Sequence, residues 1–142
     1  MTEAESPVLP ILAAYKAAVY AKDVDAFLAI YDQDISIFDM WAEWEYRGIV
    51  AWRKIVQGWF GSLQEERVLV DFSNIQTTSD ADMAMAYLFV SYQAIAQDGT
   101  RLRGMQNRMT LALRRRQGVW QIVHQHTSSP IEFETTKAIF LP

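Results

Sequence analysis

The sequence predicts an α+β fold, with three N-terminal helices packed on a curved, mainly antiparallel sheet that encloses a cavity as a cone-shaped α+β barrel. Three observations carry this. Apolar residues recur at three- and four-residue spacing as far as Leu63 and alternate two by two beyond Glu66. The alternating segments are long, and long strands twist and bend into a sheet that helices can close. Finally, 142 residues with 51% hydrophobic content suit one compact domain over positions 1–142 with a real core.

Each element follows from its residues. Pro7 to Lys22 carries Val8, Ile11, Leu12, Tyr15, Ala18 and Val19 on one helical stripe, with Ser6 and Pro7 suited to its start. Asp23 can cap a short second helix through Phe27, Leu28, Ile30 and Tyr31, which Asp32-Gln33-Asp34 ends. Ile35 to Met40 alternates as a strand and places Asp39 on the face of Ile35 and Ile37. Trp41 to Arg47 has no period and reads as an aromatic, acidic loop folding over something. Gly48 opens a third helix with Trp52, Ile55, Val56, Trp59, Phe60 and Leu63 on a wide aromatic face.

Four strands follow, Val68 to Gln76, Met83 to Ala96, Arg101 to Arg116 and Val119 to Ser128, separated by short polar turns that make an antiparallel meander. In the third of them Met105, Asn107, Met109, Leu111 and Leu113 share a face, so Asn107 is a polar residue on an apolar side. The tail from Ile131 to Pro142 keeps enough apolar residues to pack across the sheet or onto a partner chain.

Composition narrows the function. The net charge of -4 argues against nucleic acid, and Arg114-Arg115-Arg116 reads as a solvated strand tip. With no cysteine, disulfides and thiolate chemistry are excluded, which fits a cytoplasmic setting. Met1 to Ser6 are acidic and no long apolar run follows, so neither a leader nor a membrane span is expected. No Gly-rich phosphate loop or serine elbow is present. The many aromatic and Met side chains can fill a core or line a roomy apolar pocket, with Trp41, Trp44, Trp52 and Trp59 as core and pocket wall.

Both histidines lie in the last strand. Strict alternation puts Trp120, Ile122, His124, His126 and Ser128 on one face, looking onto a core or cavity. A His-x-His pair can chelate zinc, but a zinc site wants at least three protein ligands and there is no third His and no Cys. No metal and no cofactor is expected. The histidines read as pocket walls, with His124 able to act as acid or base in place of Asp39. A carboxylate on an apolar cavity face has its pKa raised by desolvation, which makes Asp39 a usable base, and Tyr15 can donate from the facing helix. The plainer reading has Asp39 capping the loop after it and Tyr15 as a core residue.

Lys22-Asp23-Val24-Asp25-Ala26-Phe27, Tyr31-Asp32-Gln33-Asp34-Ile35, Arg47-Gly48 and Gly118 through Pro130 together resemble the nuclear transport factor two-like superfamily. That superfamily includes SnoaL-like cyclases, ketosteroid isomerases and scytalone dehydratase, and the last segment also resembles the association domain of calcium/calmodulin-dependent kinase. The resemblance implies that Tyr15 and Asp39 stand where ketosteroid isomerases hold the carbonyl-polarising tyrosine and the proton-moving aspartate, and Asn107 where they hold a second oxyanion donor. Against the association domain, the inward positions of the long strands are Phe89 and Leu111, which with Met105, Trp120 and His126 gives an apolar pocket.

Two readings stay open. One is a cofactor-free isomerase, cyclase or dehydratase for a small apolar carbonyl-bearing molecule, with Asp39 as base, Tyr15 and Asn107 as oxyanion donors and His124 assisting. The other is a non-catalytic ligand-binding or oligomerisation module. Either is expected to pair as a homodimer through the outer sheet face.

Overall fold

The computed structural model of the protein describes residues 6–142. The expectation of no leader over Met1 to Ser6 therefore lies, Ser6 apart, outside the described residues. Helix α1 spans Val8–Ala21. It starts where the Ser6 hydroxyl accepts the Val8 N–H at 3.2 Å, and it ends on Lys22, left-handed at φ 55°, whose N–H returns to the last-turn carbonyls. Asp23 caps α2 (Val24–Leu28) by accepting the Ala26 N–H at 3.0 Å, the role its position predicts.

The second helix is shorter than its apolar pattern predicts. It stops at Leu28, and strand β1 (Tyr31–Phe38) begins at once because Tyr31 pairs with Ile122 in the last strand. Asp32-Gln33-Asp34 is an irregular stretch inside β1, where the register slips between Tyr31 and Ser36, rather than a break before it. The aromatic loop closes with a two-residue strand, β2 (Tyr46–Arg47), antiparallel to β1. Gly48 then turns the chain at φ 87°, a value that favours glycine, and donates its N–H to Ile35 O at 2.7 Å before α3 (Ile49–Ser62).

Strands β3 (Arg67–Ser79), β4 (Met83–Ile95), β5 (Arg101–Arg116) and β6 (Val119–Ser128) form the meander. The sheet order is β2-β1-β6-β5-β4-β3, with β1 and β6 parallel and the other pairs antiparallel. The helices cover one face, α1 against β3 and α3 against β1. Phe27 lies 4.8 Å from the Tyr15 ring and 5.7 Å from Phe60, in the same core as the fully buried Leu111, Leu113 and Ile122. No helix among the described residues is long and apolar enough to cross a membrane.

Register fixes which side chains face the helices. One inner row runs Ala86, Leu111, Gln125, Ile37, and the next runs Leu88, Met109, Thr127. Val90 with Asn107, Tyr92 with Met105 and Ala94 with Arg103 continue along β4 and β5. Two departures from simple alternation follow. In β4 the inner phase is Ala84, Ala86, Leu88 and Val90, so Phe89 points outward and not into the pocket. In β6 Ala112 pairs with His124 but Leu113 with Ile122, which leaves Val123 as a bulge and reverses the phase. Gln125 and Thr127 are buried inside as a result, and His124 and His126 turn to the outer face.

Candidate functional site

Between the helices and the open end of the sheet lies a cavity of about 600 Å³. Asp39, at the end of β1, is a carboxylate in its wall. The Thr127 hydroxyl donates to Asp39 Oδ1 at 3.0 Å across from β6. Desolvation pushes the Asp39 carboxyl above its ordinary value, while Thr127 and the backbone N–H groups of Trp41 and Met40 pull the other way and lose.

Facing it, the Tyr15 and Tyr92 hydroxyls lie 2.8 Å apart. Burial, with the neighbouring phenols and Asp39 adding, pushes Tyr15 well above its ordinary value, and burial raises Tyr92 as well. Both remain neutral donors. One proton is shared within the pair, and the other hydroxyl proton is free to meet a ligand oxygen. Asn107, 4% exposed on an otherwise apolar face, accepts the Ser129 hydroxyl at 3.5 Å on its Oδ1 and keeps its amide N–H groups.

The structure brings together three of the four residues expected to do chemistry: Tyr15, Asp39 and Asn107 all line this cavity. His124 does not. Its Nδ1 is 2.9 Å from Ser36 O, and its ring and that of His126 flank Phe38 on the outer face at 4.7 and 5.5 Å. The bulge at Val123 is the reason.

Of the expected walls, Trp41, Trp59 and Met105 are in place. The others are corrected. His126 and Phe89 lie on the outer side, Trp44 is 96% exposed, and Leu111 is sealed in the core below the cavity. Trp120 precedes the bulge and packs at the far end of the sheet under the Arg115 guanidinium, 5.8 Å away. Among the described residues no group of three or more His, Cys, Asp or Glu is placed to hold a metal ion.

Sequence reasoning missed Tyr92, Gln125 and Phe140 in the wall, and Trp52 takes the wall position expected of it. Tyr92 was legible in principle, because Ser91 and Gln93 mark the opposite phase of β4 as the wet one. Gln125 was not, since nothing in the residue pattern marks a bulge at Val123. Phe140 arrives from the tail, which docks by Gln106 N–H donating to Phe140 O at 2.7 Å, and its ring lies 5.6 Å from Trp41 at the mouth.

Residues 8–132 match the family model described as SnoaL-like domain. The chain belongs to this SnoaL-like family. With it the protein joins the nuclear transport factor two-like superfamily. Among solved structures it is similar to an NTF2-like protein of unknown function from Pseudomonas putida, at TM-score 0.85 and 26% identity over 99% of this chain and 96% of that one. An NTF2-like protein with a cystatin-like fold from Novosphingobium aromaticivorans gives 0.75 and 15%, covering 91% and 83%. A candidate calcium/calmodulin dependent protein kinase II association domain from Xanthomonas campestris gives 0.72 and 16%, covering 93% and 94%. The last two likenesses speak for the fold alone. None of the curated proteins matches the chain.

Proposed function

We propose that this SnoaL-like protein binds a small apolar, carbonyl-bearing molecule in its cavity and acts on it as a cofactor-free acid/base enzyme, with isomerase, cyclase or dehydratase chemistry. The observation that carries the reading is Asp39: a carboxylate in an aromatic-lined cavity, raised by desolvation and held in place by Thr127. Its partners are neutral donors, the Thr127 hydroxyl and the backbone N–H groups of Met40 and Trp41, none of which offsets its charge as a cation would.

The step is a proton transfer. Asp39 takes a proton from the carbon next to the ligand carbonyl, and the C–H electron pair moves onto the carbonyl oxygen as an enolate. The Tyr15–Tyr92 pair and the Asn107 amide are the available donors to that oxygen. Return of the proton to another carbon completes an isomerisation, attack of the enolate carbon on a second carbonyl a cyclisation, and expulsion of a β-hydroxyl with that proton a dehydration.

The test is exchange of α-protons in a panel of aryl ketones in D₂O, followed by NMR. The wild-type protein accelerates exchange, and Asp39→Asn lowers the catalysed rate by at least about 100-fold. Equal catalysed rates in the two proteins remove Asp39 from the mechanism.

A second observation favours self-association through the outer sheet face. Register sets Met85, Ala112 and His124 in one outer row and Tyr87, Thr110, His126 and Phe38 in the next, and Met85, Tyr87 and Phe38 are 42%, 54% and 38% exposed. We infer a homodimer through this face, whether the cavity is catalytic or serves a binding or association module. Sedimentation velocity checks it: the wild type runs as a dimer and Tyr87→Glu as a monomer, whereas a monomeric wild type refutes the interface.

A further inference from the structure

The cavity ends at Gln125. Its neighbours in the same inner row, Leu111 and Ile37, are completely buried and take no part in the wall, whereas Gln125 lines it while only 2% exposed. The side chain is fixed from behind, because the Tyr31 hydroxyl donates to Gln125 Oε1 at 2.7 Å. The two N–H groups of the amide have no protein partner among the described residues.

The orientation of the amide follows from that bond. With the Tyr31 proton on Gln125 Oε1, Gln125 presents its oxygen to Tyr31 and its NH₂ to the cavity. Opening onto the cavity, that NH₂ is available to an acceptor on a bound molecule.

The charge pattern says which acceptor. Gln125 lies one inner-face step, about 6.5–7 Å of strand rise, from the Thr127–Asp39 pair. A carboxylate or phosphate on the ligand would meet Asp39 there with no cation to offset it. Among the described residues the cavity's one guanidinium, Arg103, lies four inner-face steps away along β5 from Leu111, beside Gln125, and is already paired with Glu66 at 2.8 Å. A neutral oxygen suits the floor; an anion does not.

We propose that Gln125 is the residue that anchors the ligand: its carboxamide, oriented by Tyr31, donates to a neutral carbonyl-type oxygen at the leading end of the molecule. This rests on the cavity being a ligand site, as proposed above, but not on Asp39 acting as a base. It also selects the ligand, because an apolar molecule lacking that oxygen leaves the amide unpaired.

Binding of 2-acetylnaphthalene and of its oxygen-free counterpart 2-isopropenylnaphthalene, followed by quenching of Trp emission, tests the proposal. The wild type prefers the ketone by about tenfold, and Gln125→Met, which keeps the length of the side chain, abolishes the preference. Tyr31→Phe, which leaves the amide in place but unoriented, reduces the preference without abolishing it. The infrared carbonyl band of the ¹³C-labelled ketone shifts to lower frequency in the wild type and returns towards its value in apolar solvent in Gln125→Met; this readout is independent of small changes in fold stability. An equal preference or an unshifted band in wild type and Gln125→Met overturns the proposal, as does failure of the ketone to bind up to its solubility limit. Ketone preference without proton exchange refutes the enzyme reading and keeps this one, and exchange without preference does the reverse.

Discussion

The two sides of β6 hold opposite kinds of chemistry. On the outer side His124 and His126, the residues with the strongest claim to reactivity by type, bracket Phe38 on a sheet surface. On the inner side Gln125 and Thr127, neither of which titrates, hold the floor of the cavity and the Asp39 carboxylate. A bulge of one residue, Val123, decides which pair goes in. Residue type thus proposes a role, and the phase of the strand disposes of it.

The sharpest way to break the comparison is to exchange the importance of its two sides. Asp39→Asn is expected to lower ketone α-proton exchange by at least about 100-fold, whereas the double change His124→Ala with His126→Ala leaves it within about threefold, measured by NMR in D₂O on folded protein. A large loss in the histidine variant would bring the outer face back into the site.

A second contrast concerns two side chains expected in the pocket. Leu111 is completely buried and Trp44 is 96% exposed. Leu111→Ala should cost about 2–5 kcal/mol of stability, and Trp44→Ala should stay within about 0.5 kcal/mol, both by urea denaturation. Comparable losses would mean that Trp44 has a packing role that this fold does not give it.

A smaller stability effect than that of Leu111 belongs to the charge on Asp39. Because its folded pKa is raised, the folded protein binds more protons than the unfolded chain between the two values, so this group's contribution to stability falls as pH rises through that window. Above it Asp39→Asn removes a poorly solvated charge, keeps an acceptor for Thr127, and should stabilise the protein by about 0.5–2 kcal/mol at neutral pH. Chemical denaturation at pH 7 checks this, and a destabilised variant would mean that the charge is compensated. In the same sense, the acid limb of the exchange rate should lie above the pH at which an ordinary aspartate ionises, since only the deprotonated carboxylate accepts a proton.

The fold was legible because its signals are local and repeated. Helical spacing in Val8–Ala21 and Ile49–Ser62 and long alternation in β3 to β6 each recur over several turns or pairs, so one ambiguous residue does not change the answer. Tyr15, Asp39 and Asn107 could be placed on the inner side for a related reason: each stands in an apolar stripe whose spacing holds across its immediate neighbours. Residue order, composition and periodicity therefore determined an α+β domain with a polar residue on each of three inner-facing elements. Tertiary structure alone decided the rest. Pairing of β6 between β1 and β5 fixed the bulge at Val123, which put Gln125 rather than His124 inside, and docking of the tail on β5 brought Phe140 to the mouth. A strand's phase after a bulge is set by its neighbours on both sides, and that information is not in the strand's own sequence.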